Sequence, residues 1–151
     1  MTTPFSYAFP TDAQLRGKRV TVMGLGLFGG GAAVVRFLAS RGCAVVVTDL
    51  RDARALAPTL VELDGLPFAR VFGEHRERDF VDTDFVVVNP AVPETSPFVR
   101  AAIAAHVPLL SEIGLFIARC RARLAFVTGS KGKSTTTSLL HAMARAAGFD
   151  V

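Results

Sequence analysis

The chain has 151 residues, half of them apolar and a fifth charged, with mean hydropathy +0.40 and a formal charge of +4. That length holds about one domain and a fraction, and the apolar content excludes a disordered chain, which buries too little surface to offset its ordering entropy. Two cysteines, Cys43 and Cys120, exclude a disulfide-stapled scaffold and are expected to be free thiols in a reducing compartment.

No apolar run approaches the roughly 20 residues a membrane span requires, and the opening MTTPFSYAFPTDAQ lacks a basic stretch before an apolar core. A cytoplasmic protein is expected. The basic residues are scattered among acids, as in Glu74-His75-Arg76-Glu77-Arg78-Asp79, and only Arg119, Arg121 and Arg123 cluster alone. A nucleic-acid partner is therefore not expected. Of the 17 basic residues, 14 are Arg, yet Lys131 and Lys133 fall together. Ammonium and guanidinium groups are not interchangeable, so that spot stands out.

From residue 19 the pattern alternates strand and helix. Arg19–Met23 reads as a strand ending at Gly24. Gly29–Ser40 follows as a helix, with one apolar face at Ala33, Val34, Phe37 and Leu38. Arg41-Gly42 closes it, and Cys43–Thr48 is a continuous apolar strand of the kind buried on both faces, with Asp49 at its end. A helix interrupted by Pro58 is expected around Ala53–Leu63, then a short strand at Arg70–Phe72 and a further one at Phe85–Val88. Pro97–His106 reads as a helix with proline in its first turn. A brief strand at Pro108–Leu110 follows, and Ser111 caps a helix through Arg119. Leu124–Val127 is expected as the last strand and Lys133–Ala147 as the last helix, stopped by Gly148. The fold class implied is α/β: a Rossmann-like open, mainly parallel sheet flanked by helices over residues 1–122, then the first strand, phosphate loop and helix of a second α/β domain over 123–151.

Two loops suit phosphate. Gly24-Leu25-Gly26-Leu27-Phe28-Gly29 is a complete G-x-G-x-x-G between strand and helix. Its glycines permit a tight turn and close approach to a pyrophosphate, and the helix start supplies N–H groups. Asp49, 20 residues beyond Gly29, stands where a carboxylate accepts from a ribose or a base. Thr128-Gly129-Ser130-Lys131-Gly132-Lys133-Ser134-Thr135 is the second. Its backbone would cradle the phosphates of ATP, Lys133 would neutralise β/γ charge, and the Ser134 hydroxyl would ligate Mg²⁺. Two residues separate its glycines, where the usual phosphate loop has four. His75 and His106 read as solvated, His141 as facing a surface outside the chain, and Glu112 as a first-turn acid favoured by the helix dipole.

Taken alone, the first loop points to an NAD-binding oxidoreductase or a nucleotide-sensing module. Two phosphate loops in tandem, the second in its short form, instead resemble the Mur ligases of peptidoglycan synthesis, and most of all their D-glutamate-adding branch. The residues carrying the resemblance are GLGLFG at 24–29, TDLR at 48–51, VVVNPAVP at 86–93, LLSEIGLF at 109–116 and FVTGSKGKSTTT at 126–137. The resemblance implies that the glycine loop, Gly24 to Gly29, holds the diphosphate of UDP-N-acetylmuramoyl-L-alanine. It also implies that Asp49, Leu50 and Arg51 meet the uridine, with Asn89, Pro90 and Ala91 along the other side. Phe28 stands where the family often has a small polar residue, and Ala91 replaces a common glycine. ATP-driven addition of D-glutamate through an acyl phosphate is the implied chemistry, with Lys133 as the catalytic group of this chain. The other Mg²⁺ ligands, a carbamylated lysine and the amino-acid-binding domain are expected in further domains of the same enzyme. The 151 residues alone are therefore not expected to ligate.

Overall fold

A computed structural model describes residues 9–27 and 29–151. The chain divides into two units, Met1–Arg119 and Cys120–Val151.

The first unit begins with a single turn of helix, α1 (Asp12–Leu15), which the sequence reading missed. Thr11 caps it, accepting from Gln14 N–H at 3.3 Å while the Gln14 side chain accepts from Thr11 N–H at 2.8 Å. Strand β1 (Arg19–Met23) follows, then helix α2 (Gly30–Ser40) and strand β2 (Ala44–Asp49). Strand β2 lies one residue later than predicted, so Asp49 closes the ladder, opposite Phe72 of β3 (Ala69–Phe72). Between them α3 is short, Ala57–Val61, because Pro58 belongs to its first turn and does not interrupt a longer helix. The Asp52 carboxylate holds the preceding residues in a turn by accepting from Ala55 N–H at 2.8 Å. A second missed turn of helix, α4 (Arg78–Val81), precedes β4 (Phe85–Val88). Helix α5 (Pro97–Ala104) ends before His106, whose φ of 58° breaks it. Strand β5 (Leu109–Ser111) and helix α6 (Glu112–Ile117) complete the unit, with Ser111 Oγ accepting from Gly114 N–H at 3.1 Å as the predicted cap.

The five strands are all parallel, in the order β3-β2-β1-β4-β5. Parallel strands bury both faces, and alternation along each strand divides the core in two. Val20, Val22, Val45, Val47, Val87 and Leu110 point to one side, where α2 contributes Val35 and Leu38 and α6 contributes Leu115. Met23, Val86, Val88 and Leu109 point to the other, against Phe80 of α4 and Val99 and Ala102 of α5. The order reverses between β1 and β4, and a doubly wound sheet binds its ligands outside the carboxyl ends of the strands at such a reversal.

The second unit carries the glycine-rich loop and α7 (Lys133–Ala146), which Gly148 stops with a φ of 85°. The strand expected over residues 124–127 does not form. A strand exists only with a ladder partner; this segment has none among the described residues, and Phe126 is 67 % exposed. No residue of 120–151 is buried. Among the described residues no helix is long and apolar enough to cross a membrane.

Candidate functional site

The loop after β1 turns through left-handed backbone at Gly24 (φ 87°), Gly26 (φ 67°) and Gly29 (φ 83°), conformations that L side chains rarely adopt. It is tied from three directions. On one side, Asp49 Oδ2 accepts from Leu25 N–H at 2.9 Å and from Gly26 N–H at 3.2 Å. Behind, the buried Thr59 hydroxyl donates to the Gly26 carbonyl at 3.0 Å. Across the reversal in strand order, the Asn89 side chain donates to the Gly24 carbonyl at 3.4 Å, and a Cβ at Gly24 would lie 3.0 Å from Asn89 Cβ. Gly31, in the first turn of α2, lets the helix start against the loop: a Cβ there would collide with the Leu25 carbonyl.

Asp49 is therefore not presented outward as the sequence suggested. Its side chain is buried, and its second oxygen accepts from Arg51 N–H at 2.9 Å, with the Arg51 guanidinium at 3.6 Å. The Arg51 side chain is more than half exposed and Leu50 is 67 % exposed, so both project from the strand end into open space. Asn89 turns the loop after β4 by accepting from Ala91 N–H at 3.0 Å, which leaves Pro90 and Ala91 exposed. The structure thus brings Gly24–Leu27, Gly29, Asp49–Arg51 and Asn89–Ala91 to one sheet edge. Phe28 lies outside the described residues.

Helix α2 begins at this edge with Gly29 as its N-cap and no side-chain cap. Its first-turn N–H groups have no partner within the helix, and the helix dipole makes them attractive to an anion.

His75 is a correction to the sequence reading. It is partly buried, with Nδ1 2.6 Å from the Thr48 hydroxyl, and it stands edge-on to Phe80 and Phe98 with centroids 5.7 and 5.1 Å away. Burial pushes its pKa down, and the charge of Asp49 acts in the opposite sense. The signal that could have found it is its place directly after a strand, at the same carboxyl edge as Asp49. His106 is exposed, as expected, and His141 is exposed on α7.

In the second unit, Gly129 (φ 149°) and Gly132 (φ 79°) both need conformations suited to glycine, and Gly132 is the N-cap of α7. Lys133 Nζ spans the loop to donate to the Gly129 carbonyl at 2.6 Å. Thr128, Ser130, Lys131, Ser134 and Thr135 are exposed around it. A concave backbone capped by an ammonium group suits a polyphosphate. The exposed loop hydroxyls, Ser134 among them, are the protein oxygens open to a metal here, and the described residues hold no cluster of three His, Cys, Asp or Glu. That set fits a Mg²⁺ ion that takes most of its ligands from phosphate and water.

Residues 18–111 match the model of the MurD-like N-terminal domain of the Mur ligases. The chain belongs to this family. Among its relatives, the UDP-N-acetylmuramoylalanine–D-glutamate ligase of Roseiflexus sp. (strain RS-1) is 50 % identical over 132 residues, 87 % of this chain and 28 % of the relative. The ligase of the same name from Trichlorobacter lovleyi is 46 % identical over 136 residues, 90 % of this chain and 30 % of the relative. This MurD-like chain thus spans under a third of the curated relatives it matches. The solved UDP-N-acetylmuramate–alanine ligase MurC from Thermotoga maritima shares the fold, with a TM-score of 0.54 and 24 % identity over 85 % of this chain and 29 % of that one.

Proposed function

We propose that this chain is the nucleotide-substrate module, with the ATP loop attached, of a cytoplasmic ligase that adds D-glutamate to UDP-N-acetylmuramoyl-L-alanine. Residues 1–122 take the UDP end of the substrate, and residues 123–151 begin the ATP-binding domain. Two relatives that bear this ligase name at 46–50 % identity support the reading. The observation that carries it over a nicotinamide enzyme is the inward carboxylate of Asp49. In a dinucleotide site the acid at this position accepts from the ribose hydroxyls. Here that acid is 3 % exposed and committed to the N–H groups of its own loop.

In this reading the diphosphate lies over the α2 N-terminus. The Leu25 and Gly26 N–H groups already serve Asp49, so the donors left for it are those of the later loop and of the first helical turn. Leu50 and Arg51 face the nucleoside, with Asn89, Pro90 and Ala91 opposite. The alanyl carboxylate oxygen takes the γ-phosphoryl group of ATP, releasing ADP. The amine of D-glutamate then attacks the acyl carbon, loses a proton and expels phosphate to leave the amide. Lys133, an ammonium on the loop, offsets charge on the transferring group. Mg²⁺, held through Ser134, supplies further neutralisation when bound.

Calorimetric titration with UDP-N-acetylmuramoyl-L-alanine and, in parallel, NAD tests the reading. Binding of the UDP compound, weakened about tenfold by Arg51→Ala through loss of a charged hydrogen bond, is expected. Binding of NAD alone would overturn it.

A further inference from the structure

Glu112 is the first residue of α6, at the carboxyl end of the edge strand β5, yet its side chain reaches a different helix. A Cβ built on Gly30, the first residue of α2, would run into both oxygens and the carboxyl carbon of Glu112, so the carboxylate rests directly on the start of α2. The first turn of α2 contains no acid of its own, and its N-cap is a glycine without a side chain to offer. A carboxylate beside that positive end therefore comes from 82 positions further along the chain, counted from Gly30 to Glu112, and lies against Gly30 without a hydrogen bond from a first-turn N–H group. Ser111 fixes the approach, since its capping bond to Gly114 N–H sets the first turn of α6.

We propose that the Glu112 carboxylate is a built-in competitor beside the anion cradle at the start of α2, which a phosphate-bearing ligand pushes aside. The inference rests on the reading of that cradle as the diphosphate site. Two anions cannot share one helix end without repulsion, so a ligand diphosphate must push the carboxylate aside or bind beside it at a cost. The glutamate stem carries rotatable bonds and Gly30 has no side chain to trap it, so the carboxylate can swing clear without moving either helix. The consequence is discrimination. The positive end is partly offset when no ligand is present, and a ligand with more charge than one carboxylate competes best for it. A diphosphate does so more readily than a monophosphate.

The test compares the wild-type chain with Glu112→Gln and Glu112→Asp, each first checked for an unchanged far-UV spectrum and a cooperative melt. Inorganic pyrophosphate, UDP and uridine are titrated by calorimetry, while the amide resonances of residues 30–32 are followed by NMR. Removing a charge at a helix end is expected to tighten pyrophosphate and UDP about threefold. Uridine should be unaffected, and the advantage should shrink in 0.5 M salt, on the order of three times physiological strength, as screened repulsion must. Glu112→Asp, with the charge kept on a shorter stem, should fall between the two. Equal or weaker pyrophosphate binding by Glu112→Gln would overturn the proposal. Pyrophosphate tightening without any UDP binding would sustain it and sink the UDP reading instead. Failure of both ligands to bind either protein would remove both.

Discussion

Replacing Asp49 with alanine removes the acceptor that closes the glycine loop. Three N–H groups lose their partner: Leu25 at 2.9 Å, Gly26 at 3.2 Å and Arg51 at 2.9 Å. Leu25 is fully buried, so its N–H cannot turn to water without opening the loop; such an orphaned donor costs about 1–3 kcal/mol. The other two lie nearer the surface and forfeit about 0.5–1.5 kcal/mol each. Against this, the fold no longer has to keep a carboxylate out of water. The balance is about 3 kcal/mol, a large part of the roughly 5–15 kcal/mol that holds a domain together, and lowers Tm by about 10 °C. Asp49→Asn retains one carbonyl oxygen and is expected to cost about half as much. Urea unfolding gives the magnitude, and hydrogen exchange of the Leu25 amide locates it: protected in the wild type, exchanging through local opening in the variant. A loss under about 0.5 kcal/mol, the range of ordinary surface substitutions, or a Leu25 amide unprotected in the wild type, would refute the clamp.

Gly31→Ala forces a methyl group into the Leu25 carbonyl and is expected to cost about 2–3 kcal/mol by urea unfolding. Gly29→Ala meets no atom within 4 Å and should cost only the roughly 1 kcal/mol of left-handed backbone. His75 has its pKa lowered below the usual 6.5 by burial. The unfolded chain therefore binds that proton at higher pH than the folded one, so stability is lost as pH falls below about 6.5. Thermal melts from pH 7.5 to about 5.5 should show a steeper decline for the wild type than for His75→Gln. Arg119 lies over the Phe37 ring at 4.8 Å and donates to Asp12, to the Leu115 carbonyl and to the Pro10 carbonyl. Arg119→Ala should lower stability by about 1–2 kcal/mol, visibly more than Asp12→Ala, whose exposed ion pairs are screened.

The central strands β1, β2 and β4 were readable because they are short runs dominated by buried β-branched residues, the pattern of burial on both faces. Helices α2, α5 and α6 were readable from period and caps, down to Ser111. What failed was short or dependent on partners. Helices α1 and α4 are single turns, set by one capping pair and by packing of Phe80, and four residues carry no period to detect. The 124–127 segment has strand composition, but composition cannot supply a neighbour to pair with. In the site, the positions of the glycines were legible from spacing. The direction of the Asp49 carboxylate and the reach of Glu112 to Gly30 were not, because each depends on how two loops distant in sequence meet.

That difference bears on how a glycine fingerprint is read. The glycines and the acid 20 residues on reflect a strand–turn–helix that must pack tightly and a strand end beside it, and both requirements hold whether the pyrophosphate belongs to UDP or to NAD. Only the orientation of the acid separates the two. Pointing outward, it is a ribose acceptor. Here it points inward, and its charge becomes part of the loop's own scaffolding, with Arg51 set beside it at 3.6 Å to face the opening. In the proposed function, nucleoside recognition then falls to the exposed residues that follow the acid. On the proposed function, a ligase and a dehydrogenase share the motif while placing their nucleosides on different side chains, and substitution at Arg51 should alter ligand affinity where substitution at Asp49 first alters the fold.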